Sequence, residues 1–288
     1  MDKMDAVKSF CVLLLVVSPM HSVPRIVDLS YQQDDDAISW PVNPPYNFTK
    51  LHRGFYAPFN IWLENNHIAM PEHMGTHVDA PVHTFKGTWR THQIPIEKLY
   101  GPGVIINVKT KVESNPDYRV STDDLLKYED KYGEIPRHAV IIMNSGWTHK
   151  YPNKTLVFGT TDLQDSSTYH FPSWHEEAVT WLINKRQVNA IGVDTPSTDY
   201  GQSRTLPCHV IIGKNNVVGI ENVANLDNIP ESGSTIYVPV VKIYDGSGGP
   251  ARLFGTYDDD PDKTNAASTA LCSIVYTYSL IIAFLVKF

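Results

Sequence analysis

The 288-residue chain reads as a β-rich α/β single domain. Two kinds of segment lead to that class. Short apolar runs at residues 104–108, 139–143 and 190–193 have the length and continuity of strands buried on both faces. Between them, residues 121–132 and 173–186 carry helix-start chemistry and a one-sided apolar stripe. The length is enough to bury a full core without covalent staples. Apolar residues at 42% and charged residues at 19% are ordinary for a globular protein. The net charge of −7 leaves no basic footprint, so the composition argues against a nucleic-acid partner.

Taken in order, residues 1–22 open with charges, continue as an apolar run over residues 10–17 and end in small or polar positions. This is the layout of a signal peptide, and the run is too short to span a bilayer. Cys11 lies in this leader and Cys272 near the C-terminus, so Cys208 is alone in the domain between them and no disulfide framework is expected there. Asn47 and Asn153 open two glycosylation sequons. Residues 26–29 alternate as a first strand, and Trp40-Pro41 with Asn43-Pro44-Pro45 forms a proline-broken loop. Trp40 there is either a lid packed on the core or a platform for an aryl group. Phe55, Tyr56, Phe59 and Trp62 form an aromatic segment suited to closing a pocket or to the core.

Beyond residue 100 the pattern becomes regular. Ser121 or Thr122 can cap a helix that Gly133 ends. Ser173 and Glu176 have capping-box spacing, opening a helix to about Arg186. Residues 207–213 read as a short strand headed by a histidine, Asn215-Asn216 as a turn, and residues 217–222 as a second strand or a helix entry. A tight hairpin there would bring His209 and Glu221 to one end. Residues 235–244 alternate as a long strand, followed by the Gly-rich turn 244–249, which lacks the Lys-Ser/Thr of a phosphate loop.

Residues 72–85, EHMGTHVDAPVHTF, hold the chemistry. His73, His77, Asp79 and His83 fall on alternate positions, with Met74, Val78, Ala80 and Val82 between them. In an extended segment this puts the imidazoles and the carboxylate on one face. A helix would also pair His73 with His77, but Gly75, the β-branched Thr76 and Val78, and Pro81 argue against one. Neutral imidazole and carboxylate are ordinary ligands for Zn²⁺, Mn²⁺ or Fe²⁺. A carboxylate can serve two ions, which makes Asp79 the natural centre of a two-metal site. The competing reading is a His-rich surface strand.

The pattern H-x-x-x-H-x-D-x-x-x-H with G-T-H-x-D-x-P-x-H inside it resembles the signature of the cyclase family, which contains bacterial-type kynurenine formamidases and isatin hydrolases. The resemblance runs from about residue 27 to about residue 244. It implies a three-layer β/β/α-type fold and a metal-dependent hydrolase of aryl amides, acting as a homodimer or tetramer. It also implies that His209 and Glu221 complete the ligand set of His73, His77 and Asp79, that His83 is the acid/base, and that Trp40 contacts substrate. The metal expected is zinc, as two ions, with manganese the alternative. The activity expected is arylformamidase, converting N-formyl-L-kynurenine to L-kynurenine and formate. Two rivals are an isatin-type cyclic amide hydrolase and a non-catalytic cell-surface protein that keeps the fold.

The C-terminus has a separate character. After the domain, residues 23–256, comes an acidic linker at 257–265. Small residues and an apolar tail at 266–288 then have the layout of a GPI-attachment signal, with a single membrane-spanning helix as the rival. Together with the leader this predicts the secretory pathway and display at the cell surface, with the membrane as a partner through the tail.

Overall fold

The computed structural model describes residues 23–258. Its strands are, in chain order, β1 (Arg25–Asp28), β2 (Asn47–Tyr56), β3 (Ile61–Ala69), β4 (His77–Asp79), β5 (Tyr100–Asn107), β6 (Arg119–Val120), β7 (Val140–Asn144), β8 (Ser173–Trp174), β9 (Ala190–Val193), β10 (Val218–Glu221), β11 (Ser234–Tyr237), β12 (Gly248–Pro250) and β13 (Phe254–Tyr257). The helices are α1 (Lys109–Ser114), α2 (Thr122–Tyr132), α3 (Lys154–Phe158), α4 (Glu176–Trp181), continued by a π turn over Leu182–Arg186, and α5 (Pro207–Lys214).

Nine strands form one sheet in the order β1-β13-β11-β5-β7-β9-β10-β4-β12. Its centre, β5, β7, β9 and β10, is parallel. Parallel neighbours need long crossovers, and the helices supply them: α1 and α2 between β5 and β7, α3 and α4 between β7 and β9, α5 between β9 and β10. Side chains alternate across the sheet. Val104, Ile106, Ile141, Met143, Ile191 and Val193 pack under the helices against Leu125, Tyr128, Ala178, Val179 and Leu182. Ile105, Val140, Ile142, Ala190, Val218 and Ile220 face a second core with Leu29, Val78, Ile236, Val238 and Leu253.

Among the described residues no α-helix contributes to that second core, because the sheet covers itself. β13 is second in the strand order and β12 is ninth, yet only residues 251–253 lie between them in the chain. Flat strands at about 4.8 Å spacing would put the two roughly 34 Å apart. The connecting residues reach only about 14 Å. The sheet therefore curls until its flanks approach. Ala224 N–H, after β10, donates to Leu29 O, after β1, across the closure, while Leu29 N–H to Leu253 O and Ala251 N–H to Thr76 O extend the pairings at the two edges. Two sheet walls and one helix layer make the expected three-layer α/β arrangement.

Several local expectations hold. Residues 122–132 are helical, with Ser121 and Asp124 forming a reciprocal capping box and Gly133 at the C-cap. The apolar runs are β5, β7 and β9. Others are corrected. Residues 207–213 are the helix α5, not the first arm of a hairpin with 217–222: β10 pairs instead in parallel with β9, and α5 is the crossover between them. Ser173 is in β8, and His175 caps α4 by accepting from Glu177 N–H through Nδ1. The strand expected at 235–244 stops at Tyr237. Phe55, Tyr56, Phe59 and Trp62 neither close the pocket nor enter the core. They lie on β2, β3 and their turn, an antiparallel hairpin that pairs with no other strand among the described residues. Phe55 is 68% exposed, Phe59 69% and Trp62 56%.

The leader at residues 1–22 and the tail at 266–288 lie outside the described residues, as does the linker beyond Asp258. Among the described residues, no helix is long and apolar enough to cross a membrane.

Candidate metal centre

Of residues 72–85 only β4 is strand. Gly75, at φ +57°, turns the chain before it, and Pro81–His83 forms a 3₁₀ turn after it. The alternation nevertheless delivers its side chains to one place. β4 is held between two antiparallel neighbours. Glu221 of β10 stands opposite His77, and Gly219 opposite Asp79. On the other side Gly248 of β12 also stands opposite Asp79. A side chain at Gly248 would put its Cβ 2.4 Å from His73 Cε1, so glycine there leaves the space that the His73 ring fills. His209, in the first turn of α5, approaches from the helix side.

The five expected ligands converge. Asp79 Oδ1 is 2.6 Å from His73 Nδ1 and 3.3 Å from His77 Nε2, and Asp79 Oδ2 is 3.3 Å from His209 Nε2. Glu221 reaches His77 Nε2 at 3.4 Å and His209 Nε2 at 3.1 Å. Two sets of donors lie close enough to share an ion, His77 with Asp79 and Glu221, and His73 with Asp79 and His83. His83 is thus near enough to be a ligand as well as an acid/base. Its ring, 4.0 Å centroid to centroid from His73, makes no hydrogen bond among the described residues.

Each of the other three imidazoles is fixed through its far nitrogen. His77 Nδ1–H donates to Gly75 O at 2.9 Å. His209 Nδ1–H donates to Asp199 at 2.7 Å. His73 Nε2 lies 3.1 Å from Ser247 Oγ. On neutral rings the near nitrogens are lone pairs aimed at carboxylate oxygens, a repulsive arrangement unless positive charge sits among them. His77 Nε2 and Asp79 Oδ2 are buried without a well-aligned hydrogen bond, their imidazole and carboxylate neighbours standing 3.3 and 3.4 Å away. A divalent ion fits that donor set and relieves it.

The titration of the same groups shows how strongly the cage asks for positive charge. Burial lowers the affinity of His77 for a proton, yet hydrogen bonds and charge from Asp79 and Glu221 push it up to about 10. Burial likewise opposes protonation of His209, and Asp199, Asp79 and Glu221 drive it well above the usual imidazole value. Burial would raise Asp79, but the charges of His73 and His83 and a hydrogen bond from His209 hold it far down. His83 differs. Burial lowers it, the charges of Asp79 and Glu221 oppose that, and those of His73 and His209 add to it, with a net shift downward.

The centre floors a cavity of about 300 Å³. Its apolar wall includes Ile38, Trp40, Pro196 and Leu206, and its polar lining includes Ser39, Asn43, Ser197 and Asn222. No Lys or Arg is among the described residues that line it. Trp40 packs in T-shaped contact with Phe158 and Tyr169 and also lines the cavity.

Sequence reasoning missed the supports. Asp199 is fully buried and accepts from the N–H groups of Cys208 and His209 as well as from the His209 ring. Thr198 N–H donates to Glu221. The loop DTPSTD at 194–199 carried a readable signal, two carboxylates and three hydroxyls directly after a buried strand.

Residues 27–200 match the family described as Putative cyclase. The isatin hydrolase of Roseibium aggregatum is 27% identical over 204 residues, covering 68% of this chain and 74% of that protein. The kynurenine formamidase of Geobacillus thermodenitrificans is 24% identical over 227 residues, covering 78% and 94%. The crystal structure of an isatin hydrolase bound to the product analogue thioisatinate superposes with a TM-score of 0.74 at 23% identity, covering 82% of this chain and 93% of that one, which establishes a shared fold.

Proposed function

The chain belongs to the Putative cyclase family, and from that premise we propose that it is a metal-dependent hydrolase of aryl amides. The observation that carries the reading is the cage itself: three oriented imidazoles with lone pairs facing two buried carboxylates, open to a cavity. His73, His77, Asp79, His209 and Glu221 would hold the metal, zinc as two ions sharing Asp79, with manganese the alternative. When bound, the metal supplies a Lewis acid and brings the pKa of a coordinated water towards ~7.

The chain's own residues do the rest. Trp40, Ile38 and Leu206 hold the aryl group away from water. His83 carries the proton, delivering it to the leaving nitrogen as the carbon–nitrogen bond breaks. Its ring makes no hydrogen bond among the described residues, which leaves its nitrogens available to the centre and the substrate.

N-formyl-L-kynurenine is the first substrate to test, with L-kynurenine and formate as products. A cyclic amide of the isatin type is the second. It is favoured by the cavity lining, where among the described residues no cation meets an amino acid's carboxylate. Purified protein loaded with Zn²⁺ or Mn²⁺ should hydrolyse one of these, read by formate release and by ring opening. Bound metal with no turnover on an aryl amide panel would support the non-catalytic rival.

The assembly proposed is a homodimer or tetramer. An isolated two-stranded hairpin is marginal in water, and β2–β3 exposes Phe55, Phe59, Ile61 and Trp62. A second copy covers that surface. Sedimentation of the wild type should give a dimer or larger, and a monomer would reject the assembly. The secretory, cell-surface location rests on the leader and tail. Truncation before residue 266 should release active protein into the medium, and activity found only in the cytosol would reject it.

A further inference from the structure

The Gly-rich turn after Tyr244 looks like a plain connection, yet it touches the metal centre. Ser247 N–H and Ser247 Oγ–H both donate to Glu72 Oε2, at 3.1 and 2.6 Å. With its proton committed to Glu72, the hydroxyl can only accept from the His73 ring, whose Nε2 is 3.1 Å away. His73 Nε2 must then carry the hydrogen. On a neutral ring Nδ1 is then the lone pair, 2.6 Å from Asp79 Oδ1, a contact that a proton or a cation must bridge. Ser247 O accepts from Ala80 N–H, and Gly248 pairs opposite Asp79, so the turn is tied to the same strand that bears the ligands.

We infer that Glu72 and Ser247 are positioning residues that lock His73 with Nε2 protonated and Nδ1 aimed at the centre. The inference rests on the reading of His73 as a metal ligand. It makes His73 different from its neighbours, since His77 and His209 present Nε2. Neither Glu72 nor Ser247 touches the centre, so both act through the ring. The relay lies on a partly exposed turn, whereas the support of His209 by Asp199 is wholly buried.

Removing such an outer partner weakens metal affinity by about 10–100-fold. Wild type, Ser247→Ala, Ser247→Thr and Glu72→Gln are loaded with Zn²⁺ against a chromophoric chelator and, separately, with Co²⁺ for visible absorption. Ser247→Ala should release metal about 10–100-fold more readily and change the Co²⁺ spectrum at saturation. Ser247→Thr, which keeps the hydroxyl, should restore both. Glu72→Gln should fall between, because an amide oxygen still accepts but carries no charge. Melting of the metal-free proteins should coincide, which separates a positioning role from damage to the turn. Wild type that binds no metal would overturn the metal reading and this inference with it. Wild type that binds metal, with Ser247→Ala matching it in affinity and spectrum, would overturn this inference alone.

Discussion

The metal cage and the β2–β3 hairpin invert the usual distribution of side chains. In the cage, four imidazoles and two carboxylates are crowded together, and His77, Asp79, His209 and Glu221 are buried. On the hairpin, large apolar side chains stand in solvent. Both arrangements are unfavourable for an isolated chain, one through uncompensated charge and the other through exposed apolar surface. What each lacks is different in kind. The cage is determined by contacts within the chain and is incomplete only in charge. The hairpin pairs with no other strand among the described residues and is incomplete in surface.

The sharpest way to break the comparison is Asp79→Asn. Asp79 faces all three oriented imidazoles, so we expect loss of bound metal and of hydrolysis together, read by metal analysis and formate release. Retention of both would remove Asp79 from the centre. Next is His83→Ala, expected to keep metal and lose ~10²–10⁴-fold in turnover. Loss of metal instead would make His83 a ligand with His73 and Asp79.

A pair of tryptophans then compares core and arm directly. Trp174 is fully buried with its Nε1–H donating to Gly192 O, and Trp174→Ala should destabilise by about 3–5 kcal/mol in urea unfolding. Trp62→Ala, on the hairpin, should change monomer stability by no more than about 0.5 kcal/mol while shifting the oligomer towards monomer in sedimentation. A Trp62→Ala protein that still sediments as wild type would show that the apolar arm is not the contact.

The smallest effect is electrostatic and lies away from both regions. Arg186 Nε is 2.7 Å from Glu129 Oε1, joining the end of the π turn to α2. Hydrogen bonding from Arg186 holds the Glu129 carboxyl below its ordinary 4.5, despite partial burial. A folded pKa below the unfolded one means the stabilisation is whole above the unfolded value and fades as pH falls through the folded value. Arg186→Met should therefore lose about 1 kcal/mol near neutral pH and progressively less in acid, as Glu129 becomes protonated. An equal loss at both pH values would assign the effect to packing.

Much of the fold was legible because its signals are local. Ser121, Asp124 and Gly133 delimit α2 within a dozen residues, and the apolar runs of β5, β7 and β9 mark strands buried on both faces. α5 was not legible. Val210, Ile211 and Ile212 favour a strand by propensity, and the residue that overrules them is Asp199, which accepts the N–H groups of Cys208 and His209 from outside the segment. The ligand face of residues 72–85 could be read even though only three residues are strand, since alternate spacing survives a turn at Gly75. The Ser247 contact joins residues 174 and 175 positions apart, and no pattern along the chain announces it.

One feature of the sheet has a use outside catalysis. β1 pairs with β13 so that Arg25 lies opposite Tyr257, almost the first and last residues of the folded unit. A short flexible linker could join them without crossing any surface. Circular permutants opened at an exposed loop, such as residues 161–165, should then retain the centre, because no strand bearing a ligand is cut. The same adjacency makes the domain a one-point attachment. Whatever is fused before Arg25 or after Tyr257 leaves from a single spot, so two different cargoes on the two ends would ride side by side on every copy.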